Sequence, residues 1–235
     1  MGDEASKLWK RWNREGITER YLCGAVLDIG CGGDKITPEA KGWDKKDGDG
    51  QYLATLEDAT FDTVFSSHFL EHLADPLVGL LNQWRVLKPG GYLICIVPDE
   101  DLYEQGVFPS KFNEDHKYTW TIHKDETWSP ASKNIVDLVR YLPKHKIVSV
   151  RIVDTGYDYT KREERSDQTA GGAEAAVECI VQKEPPMWDR LTKLQCIFKC
   201  PKCQSQASVI RGKTPEGFFD AWCTVCGDMT EYHAG

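Results

Sequence analysis

Hydrophobic and polar positions follow two alternating periods along the first part of the chain. Leu8, Trp9 and Trp12 recur at helical spacing and predict an amphipathic helix at the start. Short apolar runs bounded by turn residues predict buried strands, and helical spacing returns between them. The predicted strands cover residues 25–29, 61–65, 92–97, 147–153 and 175–182, and the later predicted helices cover 70–87 and 132–141.

Strands that alternate with helices predict an α/β fold, in which a Rossmann-like, mostly parallel sheet carries helices on both faces. In such sheets ligands bind beyond the carboxyl ends of the strands. Lys183-Glu184-Pro185-Pro186 interrupts this pattern, because two consecutive prolines stop a strand or a helix. We therefore predict one domain over 1–186 and a smaller one over 187–235.

A glycine-rich turn follows the first predicted strand, with the sequence Asp28-Ile29-Gly30-Cys31-Gly32-Gly33. Glycines let the backbone adopt positive φ and approach a ligand closely, and Asp28 can accept hydrogen bonds from a cation or a hydroxyl. A dinucleotide fingerprint needs a third glycine at position 35, where this chain has Lys35. Taken alone, the turn is also compatible with a simple tight turn.

Further motifs accompany this turn. They are V-L-D-I-G-C-G-G at 26–33, Gly42-Trp43-Asp44, F-D-T-V-F-S-S-H-F-L-E-H-L at 61–73 and V-L-K-P-G-G-Y-L at 86–93. Because these motifs occur in this order, residues 20–183 of the chain resemble class I S-adenosylmethionine-dependent methyltransferases. The resemblance is closest to the broad subgroup that methylates small molecules, lipids and sugars.

The resemblance implies roles for individual residues toward S-adenosyl-L-methionine. Gly30 and Gly32 would pass beneath the methionine part of the cofactor, and Asp28 would face its ammonium group. Asp44 would bind the ribose hydroxyls, since a carboxylate accepts two such hydrogen bonds well. Asp49 falls where the family places an acid near the adenine amino group.

The stretch from Asp44 to Phe61 departs from the family, because it leaves no room for the usual second helix and a full third strand. The alternative for Asp44 and Asp49 is a solvated turn, since K-K-D-G-D-G is typical turn chemistry.

Histidines supply the candidate general bases. Ser67 and His68 would lie at the carboxyl end of a strand, close to the transferred methyl, so Ser67 is assigned to the cofactor site and His68 to catalysis. His68-Phe69-Leu70-Glu71-His72 also fits a metallopeptidase pattern, but that pattern needs a helix in a zinc cleft. For His72 we expect a structural hydrogen bond to a neighbouring loop, whereas for His68 such a structural role is the alternative to catalysis.

A long connection over residues 98–129 carries a second candidate base, His116. Long loops inside compact domains are usually functional. Its aromatic side chains would roof a pocket for a sugar or another ring-shaped acceptor, or would simply pack on the surface. They are Tyr103, Phe108, Phe112, Tyr118, Trp120 and Trp128.

The C-terminal segment predicts a zinc-ribbon-like module. Cys200-Pro201-Lys202-Cys203 and Cys223-Thr224-Val225-Cys226 are separated by 19 residues, a spacing typical of a four-cysteine zinc site. Four thiolates leave no open position, so we expect a structural Zn²⁺ held by Cys200, Cys203, Cys223 and Cys226, between strands near 208–210 and 218–222. The module could bind nucleic acid or protein, or pack on its own catalytic domain.

Composition excludes several classes of protein. The 235 residues carry a net charge of -8, which argues against a surface that grips nucleic acid throughout. The charged opening residues and the short apolar runs indicate neither a secretory signal nor a membrane helix, so we expect a cytoplasmic protein without a membrane partner.

Two functions remain as hypotheses. The first is methyl transfer from S-adenosylmethionine to a small-molecule or sugar hydroxyl. The other is a methyltransferase-like scaffold whose ribbon binds nucleic acid or protein, or an enzyme that methylates such a macromolecule. Base-amine and cytosine C5 methylation are disfavoured, because the chain has Ser66-Ser67-His68-Phe69 after the fourth strand of the family pattern and no Pro-Cys dipeptide.

Overall fold

The computed structural model describes residues 4–122, 124–185, 202–203, 208–213, 219–223 and 229–232. The chain divides into two compact units, Met1–Glu184 and Pro185–Gly235. In the first unit, α1 spans Glu4–Glu15, α2 Ile17–Tyr21, α3 Pro76–Val86 and α4 Ile135–Val139. Its strands are β1 Val26–Ile29, β2 Lys41–Trp43, β3 Phe61–Ser67, β4 Leu87–Pro98, β5 Thr119–Thr121, β6 Ser132–Asn134, β7 His145–Val153 and β8 Ala176–Lys183.

Six strands form one sheet in the order β2-β1-β3-β4-β8-β7. The pairs β1–β2, β1–β3 and β3–β4 are parallel, whereas β8 runs antiparallel to both β4 and β7. The four strands β2, β1, β3 and β4 therefore end at one edge of the sheet. The predicted Rossmann-like, mostly parallel sheet is confirmed.

Alternating side chains of the central strands pack into two cores. Phe65 and Ile94 lie in the core beneath α1 and α2, where Trp12 is fully buried. Val64 and Leu93 lie in the other core, together with side chains of α3 and α4 such as Trp84 and Ile135. Because neighbouring residues of a strand point to opposite faces, helices cover both faces of the sheet, as predicted.

Two predicted helices begin later than expected. The helix predicted over 70–87 starts at Pro76, after a short 3₁₀ turn at Leu70–His72. Asp75 sets this start, because its Oδ1 accepts hydrogen bonds from Leu77 N and Val78 N and a proline follows it. The helix predicted over 132–141 is likewise capped by Asn134, whose Oδ1 accepts from Val136 N, and residues 132–134 form β6 instead.

Between β2 and β3, residues 44–60 form turns without a helix or a strand. This agrees with the expectation that the stretch is too short for both a helix and a full strand.

The long connection after β4 is held by Glu100, which is fully buried and accepts hydrogen bonds from Thr119 Oγ1, Ser132 Oγ and Lys124 Nζ. Trp120 is also fully buried, so this aromatic residue belongs to the core and does not roof a pocket.

In the second unit, the backbone forms an antiparallel sheet in the order β11-β10-β9. Its strands are β9 Ser208–Lys213, β10 Phe219–Cys223 and β11 Met229–Tyr232. Strands thus occur at both predicted places, and β11 adds a third. Cys203 is exposed, whereas Cys200, Cys226 and the side chain of Cys223 lie outside the described residues.

In the described parts of the chain, none of the helices has both the length and the apolar character needed to cross a bilayer.

Candidate active site

The glycine-rich turn connects the end of β1 to the loop that leads into β2. Gly30 and Gly32 have φ of 75° and 54°, in the left-handed region where glycine is favoured. Gly30 N–H donates to Trp43 O over 2.8 Å, which fixes the turn against the end of β2. A β-carbon at Gly30 would lie 2.9 Å from Phe69, whereas one at Gly32 would meet nothing within 4 Å. Internal packing therefore demands a glycine at 30, and Gly32 borders open space.

Asp28 is a buried carboxyl in β1, just before this turn. Its side chain accepts a hydrogen bond from Ile36 N over 2.6 Å, which closes the loop after β1. Burial outweighs that hydrogen bond and raises the pKa of Asp28 to about 7. A cationic group placed beside Asp28 would lower this pKa and stabilise the ionised carboxylate.

Strand register brings three predicted residues level with one another. Ile29 pairs with Trp43 of β2 and with Ser66 of β3, so the residues that follow, Gly30, Asp44 and Ser67, stand side by side at the carboxyl edge. The Ser67 hydroxyl is buried and has no hydrogen-bond partner among the described residues. A buried hydroxyl without a partner is costly, and a ligand at this edge would satisfy it.

Asp44 and Asp49 both lie in the turns after β2. Asp44 is half-buried, and its Oδ1 accepts from Lys45 N over 2.7 Å. Asp49 is exposed, and its Oδ1 accepts from Gln51 N over 2.8 Å. The structure therefore places Asp44 at the edge with Gly30 and Ser67, and Asp49 further along in an exposed turn.

A cluster of histidines and carboxylates follows β3 directly. His68 has φ of 49°, an unfavourable backbone conformation for a residue with a side chain, and its Nδ1 lies 3.5 Å from Glu71 Oε1. His116 Nε2 lies 3.9 Å from the same oxygen, and the rings of His72 and His116 are 5.0 Å apart. The two predicted histidines, His68 and His116, are thus brought together around one glutamate.

The rings of His72 and His116 are both held through Nδ1. His116 Nδ1 lies 2.7 Å from Glu104 Oε1, and His72 Nδ1 lies 3.3 Å from the carbonyl oxygen of Asp115. The hydrogen bond of His72 to a neighbouring loop is the one that its structural interpretation predicts. Glu104 is fully buried, and His116 is 5% exposed. These contacts fix the long loop against the end of β3.

Glu71 is fully buried, and neither of its carboxylate oxygens has a hydrogen-bond partner among the described residues. Burial raises the pKa of Glu71, but the three histidines around it lower the pKa by more, so it lies below its ordinary value. Burial lowers the pKa of His72, an effect that the charge of Glu71 opposes. Glu71 is therefore an ionised carboxylate whose surroundings are imidazole rings.

The sequence showed His68, Glu71 and His72 as one pattern and predicted His116 near the same strand ends, but it did not show that Glu71 and His72 lie against His116. It missed Glu104 entirely, because nothing in the local sequence marks a glutamate that pairs with a histidine 12 positions later. The only signal was the density of polar residues within an otherwise aromatic loop.

Comparisons with known proteins find similarity to methyltransferases. Residues 39–95 match the family model described as "Methyltransferase domain". An uncharacterized methyltransferase of Schizosaccharomyces pombe is 39% identical over 64 residues, which cover 27% of this chain and 22% of that relative. The chain thus matches about a fifth of the length of this relative.

Solved structures of methyltransferases are also similar. A SAM-dependent methyltransferase from Methanosarcina mazei has a TM-score of 0.47 and 19% identity, covering 72% of this chain and 98% of that one. One from Archaeoglobus fulgidus has a TM-score of 0.46 and 18% identity, covering 77% and 95%. The segment matched by the family model contains β2, β3 and α3, at the edge where the candidate site lies. Residues 39–95 of this chain are thus similar to a methyltransferase domain.

Proposed function

We propose that this chain transfers a methyl group from S-adenosylmethionine to a hydroxyl group of a small molecule or a sugar. The observation that carries this proposal is the strand register, which sets Gly30, Asp44 and Ser67 side by side at the carboxyl edge of the sheet. This is the edge at which open α/β sheets bind ligands.

The residues at this edge fit the cofactor. Asp28 is a buried carboxyl without a cationic partner strong enough to keep its pKa low, and an ammonium group suits it. Ser67 offers a buried hydroxyl without a hydrogen-bond partner among the described residues, and Gly32 borders open space. We assign Asp28, Gly30, Gly32 and Ser67 to the methionine side and Asp44 to the ribose hydroxyls. Asp49 remains a weaker candidate for the adenine end, because its carboxylate is exposed and already engaged in its own turn.

The cofactor, when bound, supplies an electrophilic methyl group on a sulfonium. The chain then has to align the acceptor and receive its proton. His68 is the better-placed of the two candidate bases, because its side chain is 21% exposed and follows β3 directly. Glu71 Oε1 lies 3.5 Å from His68 Nδ1, where its charge stabilises the imidazolium that forms when the ring accepts a proton.

His116 fits a supporting position better than direct proton transfer. Its Nδ1 is bound to Glu104, and its Nε2 faces Glu71. We propose that it orders the loop over the site and orients Glu71.

The proposed zinc ribbon remains part of this account. Its structural Zn²⁺ and the binding of nucleic acid or protein to its surface are proposals that rest on the spacing of Cys200, Cys203, Cys223 and Cys226. If the acceptor is such a macromolecule, the ribbon would recruit it to the methyltransferase domain.

Incubation of the full chain with methyl-labelled S-adenosylmethionine tests the proposal. The panel of acceptors contains sugars and small hydroxyl compounds, with RNA, DNA and protein as separate arms. We expect label on a small hydroxyl compound, with much less transfer by Asp44→Ala and unchanged transfer by Asp137→Ala, an exposed control on α4. Label only on a macromolecule would overturn the assigned acceptor class.

A further inference from the structure

We propose that Glu71, His72 and His116 form a binding site for one divalent transition-metal ion, of which Zn²⁺ is the natural probe. One ligand atom from each of the three side chains lies within 4.8 Å of the other two. A tetrahedral ion bound at about 2.0–2.2 Å sets its ligands about 3.4 Å apart, so side-chain adjustments of up to about 1 Å would close the site around it.

The unsatisfied carboxylate of Glu71 is the first argument for an ion. Its side chain is fully buried, and both oxygens lack a hydrogen-bond partner among the described residues. A buried carboxylate in this situation is strongly destabilising unless a cation compensates for its lost hydration. Two imidazole nitrogens, His68 Nδ1 at 3.5 Å and His116 Nε2 at 3.9 Å, lie beyond the length of about 2.7–3.2 Å that is usual for a hydrogen bond, so they compensate for this cost only in part.

The orientation of the two rings is the second argument. A backbone carbonyl and a carboxylate only accept hydrogen bonds, so Nδ1 of His72, facing Asp115 O, and Nδ1 of His116, facing Glu104, each carry a proton. The lone pair of each ring then resides on Nε2. Histidines that bind metals are characteristically held in this way, with the second ring nitrogen donating to a carbonyl or a carboxylate.

Charge balance is the third argument. Glu71 and Glu104 are two fully buried carboxylates on either side of His116. Metal binding requires both rings to be neutral, and one divalent ion would then balance the negative charges of the two carboxylates.

The ligand set indicates the class of ion. Two imidazoles and one carboxylate suit zinc and related first-row transition metals, whereas magnesium and calcium prefer oxygen ligands. Three protein ligands also leave at least one coordination position open, which is typical of catalytic sites and not of structural ones. Since His72 is half-buried and the other two ligands are buried, that position would open on the His72 side.

The site lies next to His68, at the edge proposed for methyl transfer. An acceptor oxygen in the open position would release its proton more readily, because a bound cation lowers the pKa of such a ligand. This consequence rests on the proposed function, whereas the binding of the ion does not.

Measurement of Zn²⁺ stoichiometry in the full chain tests the site directly. We compare the wild type with Glu71→Gln, which keeps the shape of the side chain, and with Glu114→Gln, an exposed glutamate of the same loop. Competition against a zinc-binding dye, with elemental analysis after dialysis, should show one ion fewer in Glu71→Gln than in the wild type. Glu114→Gln should match the wild type, and Glu104→Gln should bind the same ion about 10–100-fold more weakly. Equal stoichiometry and affinity in Glu71→Gln and the wild type would overturn the proposal.

Cobalt substitution separates this ion from one held by the cysteines. The Co²⁺ lost in Glu71→Gln should contribute no thiolate-to-metal charge-transfer absorption, because none of its ligands is a sulfur. Loss of the thiolate band in that variant would instead assign the effect to the ribbon and contradict the site. His72→Ala, at the more exposed ligand, provides a second variant and should lose the same ion. Binding of S-adenosylhomocysteine is measured in parallel, so failure of the metal site and failure of the proposed function are distinguishable.

Discussion

At the scale of single residues, Asp28 combines a proposed role in the site with a cost in stability. Burial raises its pKa to about 7, so the folded state binds the proton more tightly than the unfolded state, where the pKa is about 4. Stability therefore falls as the pH rises from about 4 to 7, and the loss is complete above pH 7. Asp28 thus destabilises the protein at neutral pH when no cation accompanies it.

Asp28→Asn should reverse this cost. An amide oxygen can still accept from Ile36 N, while the charge is removed. In urea denaturation without cofactor, we expect the variant to exceed the wild type by about 1–3 kcal/mol above pH 7, and the gain to disappear below about pH 4.

Asp62 supplies a control, because its contribution to stability changes with pH in the opposite direction. Hydrogen bonds from Ala25 N and Lys88 lower the pKa of Asp62, so its stabilising effect is present above about pH 4 and is lost as the pH falls. Asp62→Asn should lose stability at neutral pH and approach the wild type in acid. An Asp28→Asn variant with the pH dependence of the wild type would contradict our account of Asp28.

His68 is the residue on which the proposed proton transfer depends. Once an acceptor is identified, His68→Ala should lower turnover by about 10²–10⁴-fold, the usual contribution of a general base. The affinity for S-adenosylhomocysteine should stay close to that of the wild type. His116→Ala should instead raise the Michaelis constant more than it lowers turnover, because His116 orders the loop through Glu104.

A pH–rate profile distinguishes these roles. The rising limb of the wild-type profile should be missing in His68→Ala and retained in His145→Ala, a histidine in β7 outside the cluster. Full turnover with the wild-type profile in His68→Ala would show that this ring is not the base.

At the scale of elements, α1 is fastened to the sheet by buried charges. Arg11 donates to Glu174 and to Glu178 of β8, and Trp12 Nε1 donates to Glu178 over 2.7 Å. Arg11, Glu174 and Glu178 are all buried, so removing the guanidinium would break the ion pair of Glu174 and leave Glu178 with Arg151 as its remaining cation.

Arg11→Met should therefore lower the free energy of unfolding by about 3–5 kcal/mol in urea denaturation, as for other broken buried ion pairs. Lys10→Ala, an exposed neighbour on the same helix, should change it by less than about 0.5 kcal/mol. If both variants change the free energy of unfolding by a similarly small amount, the ion pairs of Arg11 contribute little to stability.

The elements also show what the sequence could predict. The sequence predicts strands such as β1 and β3, and helix α1, because the spacing of their apolar residues matches the spacing of the buried positions. The start of α3 was not predictable, because Leu70 and Leu73 continue the helical spacing although Asp75 caps the helix after them. The pairing of His116 with Glu104, and of His72 with Asp115, depends on the path of a long loop, which periodicity does not encode.

At the scale of the whole molecule, the chain divides at Glu184 into two units with different predicted sources of stability. The first has two apolar cores, whereas a segment of about 50 residues buries too little surface to fold well without metal or other support. We predict that a strong chelator unfolds residues 194–232, whereas the first unit still melts in a separate transition, which loss of the ion proposed at Glu71 moves to a lower temperature. Calorimetry with and without chelator measures this, and a single transition that moves as a whole would contradict it.

The central claim is that the carboxyl edge of the sheet binds S-adenosylmethionine. Isothermal titration calorimetry with S-adenosylhomocysteine tests it most directly, with the wild type, Asp44→Ala and the exposed control Asp137→Ala. We predict micromolar binding to the wild type and the control, and binding to Asp44→Ala weakened by about 1–3 kcal/mol, since the ribose hydroxyls lose a charged acceptor. Absence of binding to the wild type would contradict the enzyme and favour a methyltransferase-like scaffold, and an unchanged affinity in Asp44→Ala would place the ribose elsewhere.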